Sequence, residues 1–486
     1  MKLCKNYING EWVDSVSGKT APTYNPATGE VLAEMVVSTP EDVDLAVAAA
    51  RTSFYETRDW RDMDSQTRGD ILLKIADLID KYRDELARIE SMDMGKPLRE
   101  AEGDVDDALH CYRYYAGLIK APHGGCYEVN EGFGKMHSFT IHEPVGVVAL
   151  ISAWNFPFVM GSWKIAPALA AGNSIIFKPA SNAVMSNVKM FEILEEAGVP
   201  KGAANLILGP GGSVGEALAS HPGIEMITLT GSTAVGRGIG AKTAGGKLLK
   251  RVALELGGNC PLVVLDDADV QQAVDIAIIG RFLHQGQICM STNRIIVDAS
   301  LVDEFTERFV DRARKLVCGD PLDPATDIGP IINQSQLAGL VKKVQRAKDQ
   351  GARVLLDGEP EGLVMPPVVF GDVDPTWDIA MQESFGPLAP IIVAHGEDEA
   401  LRFANMSDYG LSSAVVGRDV ERATAFALKI DAGMTHVNDM TVADEQHVPF
   451  GGEKNSGLGR FNGRWILEEM TRTHWTSVQH APHPFP

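Results

Sequence analysis

The chain has 486 residues, of which 45% are hydrophobic and 22% charged, so it can bury a large core in about three domains. Its formal net charge of −21 argues against nucleic acid or a membrane surface as a partner, because an acidic protein repels phosphate groups. Its six cysteines are scattered without a C-x-x-C pair, which predicts no metal site and a reducing, cytoplasmic location. We also recognise no apolar signal segment or membrane-spanning run.

Helical patterns dominate the first part of the chain. Thr39 and Pro40, followed by two acidic residues, predict a helix start. A longer amphipathic helix is predicted from Gln66 to Ile89. The apolar residues that recur there at helical spacing are Ile71, Leu72, Ile75, Leu78 and Ile79.

Short apolar runs alternate with helical patterns after this part, which predicts two buried parallel sheets with crossover helices. The first set comprises strands at Val145–Ile151, Ser174–Phe177, Asn205–Leu208 and Met226–Leu229, with helices near 160–171, 184–198 and 213–220. The second set comprises strands near 261–265, 293–298, 389–394 and 411–416, with helices near 269–284, 300–317, 333–350 and 419–430. We place the boundary near Leu254–Gly258, where a glycine pair interrupts a strand-like run.

Two polar, strand-like segments fit neither set: Val129–His142 and Thr471–Gln479. Both have the pattern of exposed edge strands, and exposed edges are usually covered. The sequence leaves open whether another segment of this chain or a partner chain covers them.

Glycine-rich turns follow two successive predicted strands, at 209–215 and 230–236. Such turns let backbone N–H groups approach a pyrophosphate at a helix N-terminus, so the pair favours a dinucleotide cofactor. Neither turn matches G-x-G-x-x-G, which predicts a variant binding mode. Lys178 ends a strand at the same sheet edge, where it is either a cofactor ligand or a solvated surface lysine.

Three polar residues at predicted strand ends and turns are candidates for chemistry. Cys289, in a glycine-flanked turn, is either a nucleophile or a small buried hydrophobe. Glu255 lies between leucines, where burial would raise its pKa toward that of a useful base; the alternative is a structural carboxylate. Asn155 is either an oxyanion donor or a turn residue.

Together these motifs resemble the aldehyde dehydrogenase superfamily over nearly the whole chain. The matching segments are Tyr7–Trp12, Trp154–Pro157, Lys178–Ala180, Gly231–Thr233, Glu255–Gly258, Gly286–Cys289, Glu383–Pro387 and Pro449–Gly457. The resemblance implies an α/β fold with two Rossmann-like parallel-sheet domains and a small β extension for oligomerisation. The implied boundaries are 1–125 and 144–254 for the cofactor-binding domain, 255–465 for the catalytic domain, and 126–143 and 466–486 for the oligomerisation strands.

The resemblance also implies a reaction: oxidation of an aldehyde to its carboxylic acid with NAD(P)+, through a thiohemiacetal and a thioester. Cys289 would be the nucleophile, Glu255 the general base, and Asn155 the oxyanion donor together with the Cys289 backbone N–H. The implied cofactor-binding residues are Ile151, Ser152, Ala153, Trp154, Lys178, Ala180, Ser181, Gly211, Gly215, Thr230, Gly231, Ser232, Leu256, Glu383 and Phe385. We expect a homodimer or a homotetramer.

Two positions depart from the family pattern. Ser181 replaces the Glu that commonly follows Lys-Pro-Ala in NAD-preferring members. A Glu there repels a 2′-phosphate, so Ser181 predicts that NADP is tolerated or preferred. His284 stands where the family usually has Asn.

The segments 282–292 and 436–445 resemble bacterial benzaldehyde and vanillin dehydrogenases, which predicts an aromatic substrate. The apolar side chains expected to line its tunnel are Phe156, Met160, Trp163, Leu283, Ile288, Met290 and Phe450. Several of these could equally be ordinary core residues. An aliphatic or semialdehyde dehydrogenase is the nearest alternative; a non-catalytic protein on this fold is the alternative from another class. Retention of all three catalytic candidates argues against the latter.

Overall fold

An eight-stranded sheet forms the first of two large layers in the computed structural model, which describes residues 2–121, 124–127 and 136–480. In spatial order its strands are Gly457–Leu458, Arg251–Glu255, Met226–Thr230, Val147–Ile151, Ser174–Lys178, Ala204–Leu206, Asn6–Ile8 and Glu11–Val13. The five strands from Arg251–Glu255 to Ala204–Leu206 run parallel. Their carboxyl ends therefore share one edge of the sheet.

Burial on both faces explains why these strands are apolar without alternation. Val147, Ala149 and Ile151 pack in a cluster with the helix Pro40–Arg51, whereas Val148 and Leu150 pack in the large cluster on the opposite face. The helices that contribute to this larger cluster include Ser65–Lys81, Leu98–Leu118, Pro157–Ala170 and Met185–Ala197. The sheet is thereby held between two helical layers.

The second layer is a seven-stranded sheet. In spatial order its strands are Arg353–Leu356, Val368–Gly371, Leu388–Ala394, Thr292–Asp298, Cys260–Val264, Ala414–Val416 and His436–Val437. All neighbours are parallel except Arg353–Leu356, which pairs antiparallel at the edge. Helices Val270–Phe282 and Val302–Ala313 contribute to the cluster on one face, and Gln334–Gln350 to the cluster on the other.

The remaining elements are the other helices, three helical turns and three small sheets. The other α-helices are Arg83–Met94, Glu216–Ser220, Thr233–Gly245, Asp378–Met381, Glu397–Asn405, Val420–Ala427 and Gly463–Glu469. Thr52–Thr57 and Gly211–Gly215 are π-helical turns, and Leu283–Gly286 is a 3₁₀ turn. Three small sheets contain the strands Lys2–Cys4, Val31–Val36 and Thr20–Tyr24; Tyr409–Gly410 and Glu453–Lys454; and Thr471–Gln479, Met136–Pro144 and Gly125–Tyr127.

The predicted strands and helices of both sets are confirmed, with ends that differ by a few residues. The predicted helix from Gln66 to Ile89 is wrong as one element: it is two helices, Ser65–Lys81 and Arg83–Met94, separated at Tyr82, whose φ of −101° and ψ of 14° are not helical. Apolar spacing continues across Tyr82, so periodicity alone does not detect the break.

The sequence predicted a helical N-terminal part, and this is wrong for its first 36 residues. Residues 2–36 contain five short strands. Four of them form two local antiparallel pairs, but the other pairings are distant: Tyr7 pairs with Leu206, and Lys2 pairs with Ala33. A local pattern cannot show the distant pairings, because strands of three residues have too few positions for a period.

The two polar segments pair with each other. Thr471–Gln479 runs antiparallel to Met136–Pro144, with Thr471 opposite Pro144 and Gln479 opposite Met136. Residues 129–135 of the predicted strand Val129–His142 lie outside the described residues. Pairing within the chain is therefore observed for these strands. Within the described ranges, no helix is both long enough and apolar enough to cross a membrane.

Candidate active site

A cleft of about 540 Å³ opens at the carboxyl ends of the parallel strands in the first sheet. The strand register brings four predicted residues to this edge, because Ile151 is paired with Lys178 and Thr230 with Glu255. Cys289 and Asn155 also line the cleft, as does every predicted cofactor residue except Gly215. Gly215 is buried at the end of the turn Gly211–Gly215 and is not brought to the cleft surface.

The turn that carries Cys289 follows a segment of unusual backbone. His284, Gln285 and Gly286 all have positive φ, at 48°, 55° and 70°. Such a run is strained for residues other than glycine and persists only where the surroundings hold it. The backbone N–H of His284 donates to Glu100 at 2.9 Å, and the Gln285 amide donates to the Gly95 carbonyl at 2.7 Å.

The backbone of Cys289 is packed against the loop that follows Glu255. A Cβ atom on Gly258 would lie 2.1 Å from the Cys289 carbonyl oxygen, so only glycine fits there. The Cys260 thiol donates to the same oxygen at 3.6 Å. The glycine pair that the sequence marked as a boundary therefore allows the two sheets to approach at the candidate nucleophile.

Glu255 is 2% exposed, and burial raises the pKa of its carboxyl to about 7. Neither carboxylate oxygen accepts a hydrogen bond of good geometry from the described residues, although the Cys289 thiol and the Thr230 hydroxyl are near enough to oppose the rise. A buried carboxyl with this pKa can exchange protons near neutral pH.

Cys289 is buried, and its thiol pKa is raised well above the usual value, first by burial and then by the charge of Glu255. Ionised Glu255 makes ionisation of the Cys289 thiol costly, because two negative charges would share one dry site, whereas the neutral thiol favours the ionised form of Glu255. Cys289 is therefore a thiol in the resting site, and protonation of Glu255 favours its ionisation.

Asn155 is 3% exposed and donates its side-chain amide to the Gln287 carbonyl at 3.0 Å. Gln287 lies two residues before Cys289, so this bond ties the end of the first sheet to the candidate nucleophile turn. The amide donors are therefore positioned at the turn where a carbonyl attacked by Cys289 would develop negative charge.

Lys164 is a residue of this site that the sequence reading missed. Its ammonium is buried 4.3 Å above the centre of the Phe461 ring, and no described residue accepts a hydrogen bond from it. Burial lowers its pKa to about 7, and the charge of Glu255 opposes that shift. A lysine inside Pro157–Ala170, a helix whose residues are all buried, is the sequence signal that could have revealed it.

Glu383 lies across the cleft from the first sheet. Its carboxylate accepts from the Gly258 backbone N–H at 2.9 Å, and burial raises its pKa to about 7. Lys343, from the helix Gln334–Gln350, donates to the Ser384 carbonyl at 3.0 Å. Lys343 and Gln336 both line the cleft but carry no local signal, because the fold brings them there from a surface helix.

The first-sheet side of the cleft suits a ligand rich in phosphate and hydroxyl groups. Ser232 caps the helix Thr233–Gly245, whose N-terminus favours an anion. Burial lowers the pKa of Lys178 to about 8, and its ammonium donates to the Pro179 carbonyl at 3.0 Å. The buried Ser152 hydroxyl has no partner among the described residues. These groups, at the carboxyl ends of parallel strands, fit a dinucleotide cofactor.

The seven predicted substrate residues are absent from the lining of this cleft but pack in one apolar cluster that also contains Cys289. Two pairs of aromatic rings make contact among these residues and His284. The Trp163 and Phe450 rings meet edge to face at 5.2 Å, and the Phe156 and His284 rings do so at 5.4 Å. The seven side chains therefore belong to the same apolar core as Cys289.

Comparison with known proteins agrees with this geometry. The sequence profile of the aldehyde dehydrogenase family matches residues 12–476. The chain is 42% identical to the vanillin dehydrogenase of Corynebacterium glutamicum, covering 98% of each chain. It is 40% identical to human mitochondrial aldehyde dehydrogenase, covering 97% of this chain and 91% of that one.

Solved structures match the fold. The betaine aldehyde dehydrogenase of Staphylococcus aureus, in complex with NAD+, superposes with a TM-score of 0.95 at 35% identity, covering 99% of this chain and 95% of that one. Sequence and structure thus agree over almost the full length. The chain belongs to the aldehyde dehydrogenase family and is an NAD(P)-dependent oxidoreductase that converts an aldehyde to its carboxylic acid.

Proposed function

We propose that the protein oxidises an aromatic aldehyde, with Cys289 as nucleophile, Glu255 as general base and Asn155 as oxyanion donor. The observation that carries this proposal is the meeting of these three side chains in one cleft with the candidate cofactor residues. The alternative of a binding protein without catalysis is disfavoured, because a binding site would not need a nucleophile, a base and an oxyanion donor in one cleft.

In the first half of the reaction the Cys289 thiol loses its proton to water, and the thiolate sulfur bonds to the carbonyl carbon. The carbonyl oxygen becomes an oxyanion that accepts hydrogen bonds from the Asn155 amide and the Cys289 backbone N–H. Bound NAD(P)+ would supply the acceptor for the hydride that leaves this carbon. Cys289 then carries the acyl group as a thioester.

In the second half Glu255 takes a proton from water, and the water oxygen bonds to the thioester carbon. The carbon–sulfur bond breaks, the acid leaves, and the Cys289 thiolate takes the proton back from Glu255. A carboxyl with a pKa of about 7 is suited to this step, because it is largely ionised just above neutral pH and still basic enough to accept a proton.

Lys178, Ser232, Glu383 and Phe385 would hold the cofactor. Ser181 supports acceptance of NADP: its hydroxyl donates to the Gly209 carbonyl at 2.7 Å, and the only carboxylates in the described lining of the cleft are Glu255 and Glu383. Position 181 therefore carries no carboxylate that would repel a 2′-phosphate.

An aromatic substrate is supported by the aromatic rings in the core cluster that contains Cys289 and by the likeness to a vanillin dehydrogenase. Trp163 and Phe450 offer edge and face contacts that favour a flat ring.

We also propose the domain boundaries stated above, a homodimer or homotetramer joined through the small sheet, and a cytoplasmic location. Six unpaired cysteines are consistent with that location.

The test is a panel of benzaldehyde, vanillin, succinate semialdehyde and short aliphatic aldehydes, each with NAD+ and with NADP+, followed by nicotinamide absorbance. We expect the highest kcat/KM for the aromatic aldehydes, useful rates with NADP+, and no oxidation by Cys289→Ala although it still binds cofactor. Parental rates in Cys289→Ala would refute the nucleophile. A clear aliphatic preference would refute the substrate class, and a large NAD+ preference would refute the role of Ser181.

A further inference from the structure

Arg281 is a fully buried cation next to the nucleophile turn, at the end of the helix Val270–Phe282. One terminal nitrogen donates to the Thr292 carbonyl at 2.9 Å and to the Asn293 side-chain oxygen at 3.1 Å. The other donates to the Gly286 carbonyl at 3.3 Å and closely to the Gly386 carbonyl. No described carboxylate forms an ion pair with it, and burial lowers its pKa to about 9.

These acceptors belong to the two loops that meet at the site. Gly286 and Thr292 lie on either side of Cys289, whereas Gly386 immediately follows Phe385. Asn293 joins the same loops a second time, because its side-chain oxygen also accepts from the Ser384 backbone N–H at 3.0 Å. One guanidinium therefore spans segments that lie about a hundred residues apart along the chain.

The fit around the guanidinium is close. A Cβ atom on Gly286 would lie 2.3 Å from a terminal nitrogen of Arg281 and 2.6 Å from the Gly386 carbonyl oxygen. No side chain can separate the two loops at this point. Because an unpaired buried cation is costly unless several oxygens surround it, movement of either loop would leave the charge undersatisfied.

We propose that Arg281 is a positioning residue for the oxidation: it sets the spacing between the turn that carries Cys289 and the loop that carries Glu383 and Phe385. Cofactor affinity and the reactivity of Cys289 then depend on the same side chain. This inference rests on the roles proposed above for those three residues.

The test compares Arg281→Met with Arg281→Lys, which restores a cation with fewer donors and no planar fork. Arg294→Met is the matched control, since Arg294 is equally buried but donates to the backbone carbonyls of Asn259, Phe403 and Ala404. For each variant we would measure NAD+ affinity, the rate of the NADH burst, and the rate of Cys289 alkylation by iodoacetamide, well below the unfolding temperature.

We expect Arg281→Met to weaken NAD+ binding and to slow the NADH burst, each by at least about tenfold. The rate of Cys289 alkylation by iodoacetamide should also differ from the parental rate. Arg281→Lys should have values between those of Arg281→Met and the parent. Arg294→Met should keep the parental NAD+ affinity, burst rate and alkylation rate, although it should be less stable. Parental values in folded Arg281→Met, or equal losses in Arg294→Met, would overturn the proposal. Should Arg281→Met fail to fold, Arg281→Lys and Asn293→Ala take its place, and parental behaviour of both would overturn it. A parent enzyme without a Cys289-dependent burst would instead refute the proposed function.

Discussion

At the scale of single residues, the site is governed by buried ionisable groups. Glu255, Lys164 and Glu383 each have a pKa of about 7, and in each case the main cause is burial. Burial raises the pKa of a carboxyl and lowers the pKa of an amine. The pKa values of two acids and one base, which usually lie far apart, therefore converge near 7 here. Proton transfer between such groups and water costs little at this pH.

Glu255→Gln tests the division of labour between the two half-reactions. We expect an NADH burst of at least parental rate, because the variant removes the charge that raises the thiol pKa of Cys289. Turnover after the burst should fall by about a hundredfold or more, because no base remains to activate water. Rapid-mixing absorbance separates the two phases; a steady rate without a burst would contradict the assignment.

The pH profile belongs to the same test. The carboxyl of Glu255 is the active base only when ionised, so parental deacylation should rise with pH through about 7 and level off above. Glu255→Gln should lack this rise. A parental rate that is flat between pH 5.5 and 8.5, with deacylation limiting, would show that another group is the base.

At the scale of elements, short glycine segments decide how closely the two sheets approach. Gly257 and Gly258 follow the strand Arg251–Glu255, and a Cβ atom on either would collide, with Glu383 or with the Cys289 carbonyl. Neither has a positive φ, so the requirement comes from space between elements and not from backbone conformation. The loop thus sets the position of Cys289 relative to Glu255.

Gly258→Ala should displace the nucleophile turn by several tenths of an ångström or more, because its Cβ would overlap a backbone carbonyl. We expect kcat to fall by about a hundredfold while the fold persists, which steady-state kinetics and circular dichroism would check. Gly238→Ala is the control: its Cβ would meet nothing within 4 Å in the helix Thr233–Gly245, and it should stabilise that helix by about 1 kcal/mol. Equal activity in both variants would contradict this role of Gly258.

At the scale of the whole molecule, the small sheet stands apart from the two large layers. Its strand Thr471–Gln479 exposes Trp475 and Val478, and its neighbour Met136–Pro144 exposes Ile141. Val478 and Ile141 share one face of this sheet and Trp475 lies on the other, because side chains alternate along a strand. A second copy of the chain is the partner that the oligomer proposal assigns to these exposed side chains.

Truncation after Met470 removes one strand of the small sheet and tests the assembly proposal. We expect light scattering coupled to gel filtration to report a dimer or tetramer for the parent and a smaller species for the truncated chain. A chain that ends at His480, which keeps the whole strand, should assemble like the parent. An unchanged mass after truncation at Met470, or a monomeric parent, would refute the proposal.

Much of the fold could be predicted from local sequence because its signals are local. Continuous apolar runs such as Val147–Ile151 mark strands buried on both faces, and helical spacing marks the elements between them. Thr39 and Pro40 do precede and begin the first helix. The hairpin over residues 6–13 has a local signal in its Asn9-Gly10 turn, whereas its pairing with Leu206, about two hundred residues away, has none.

The sequence by itself determined the chemistry available: a cysteine, a carboxylate and an amide in recognisable motifs, together with two glycine-rich turns. Only the tertiary structure decided their environment. The raised pKa of Glu255, the contact of Gly258 with Cys289 and the bridging position of Arg281 each depend on atoms distant in sequence. Desolvation and close approach are properties of the packed interior, so no local pattern contains them.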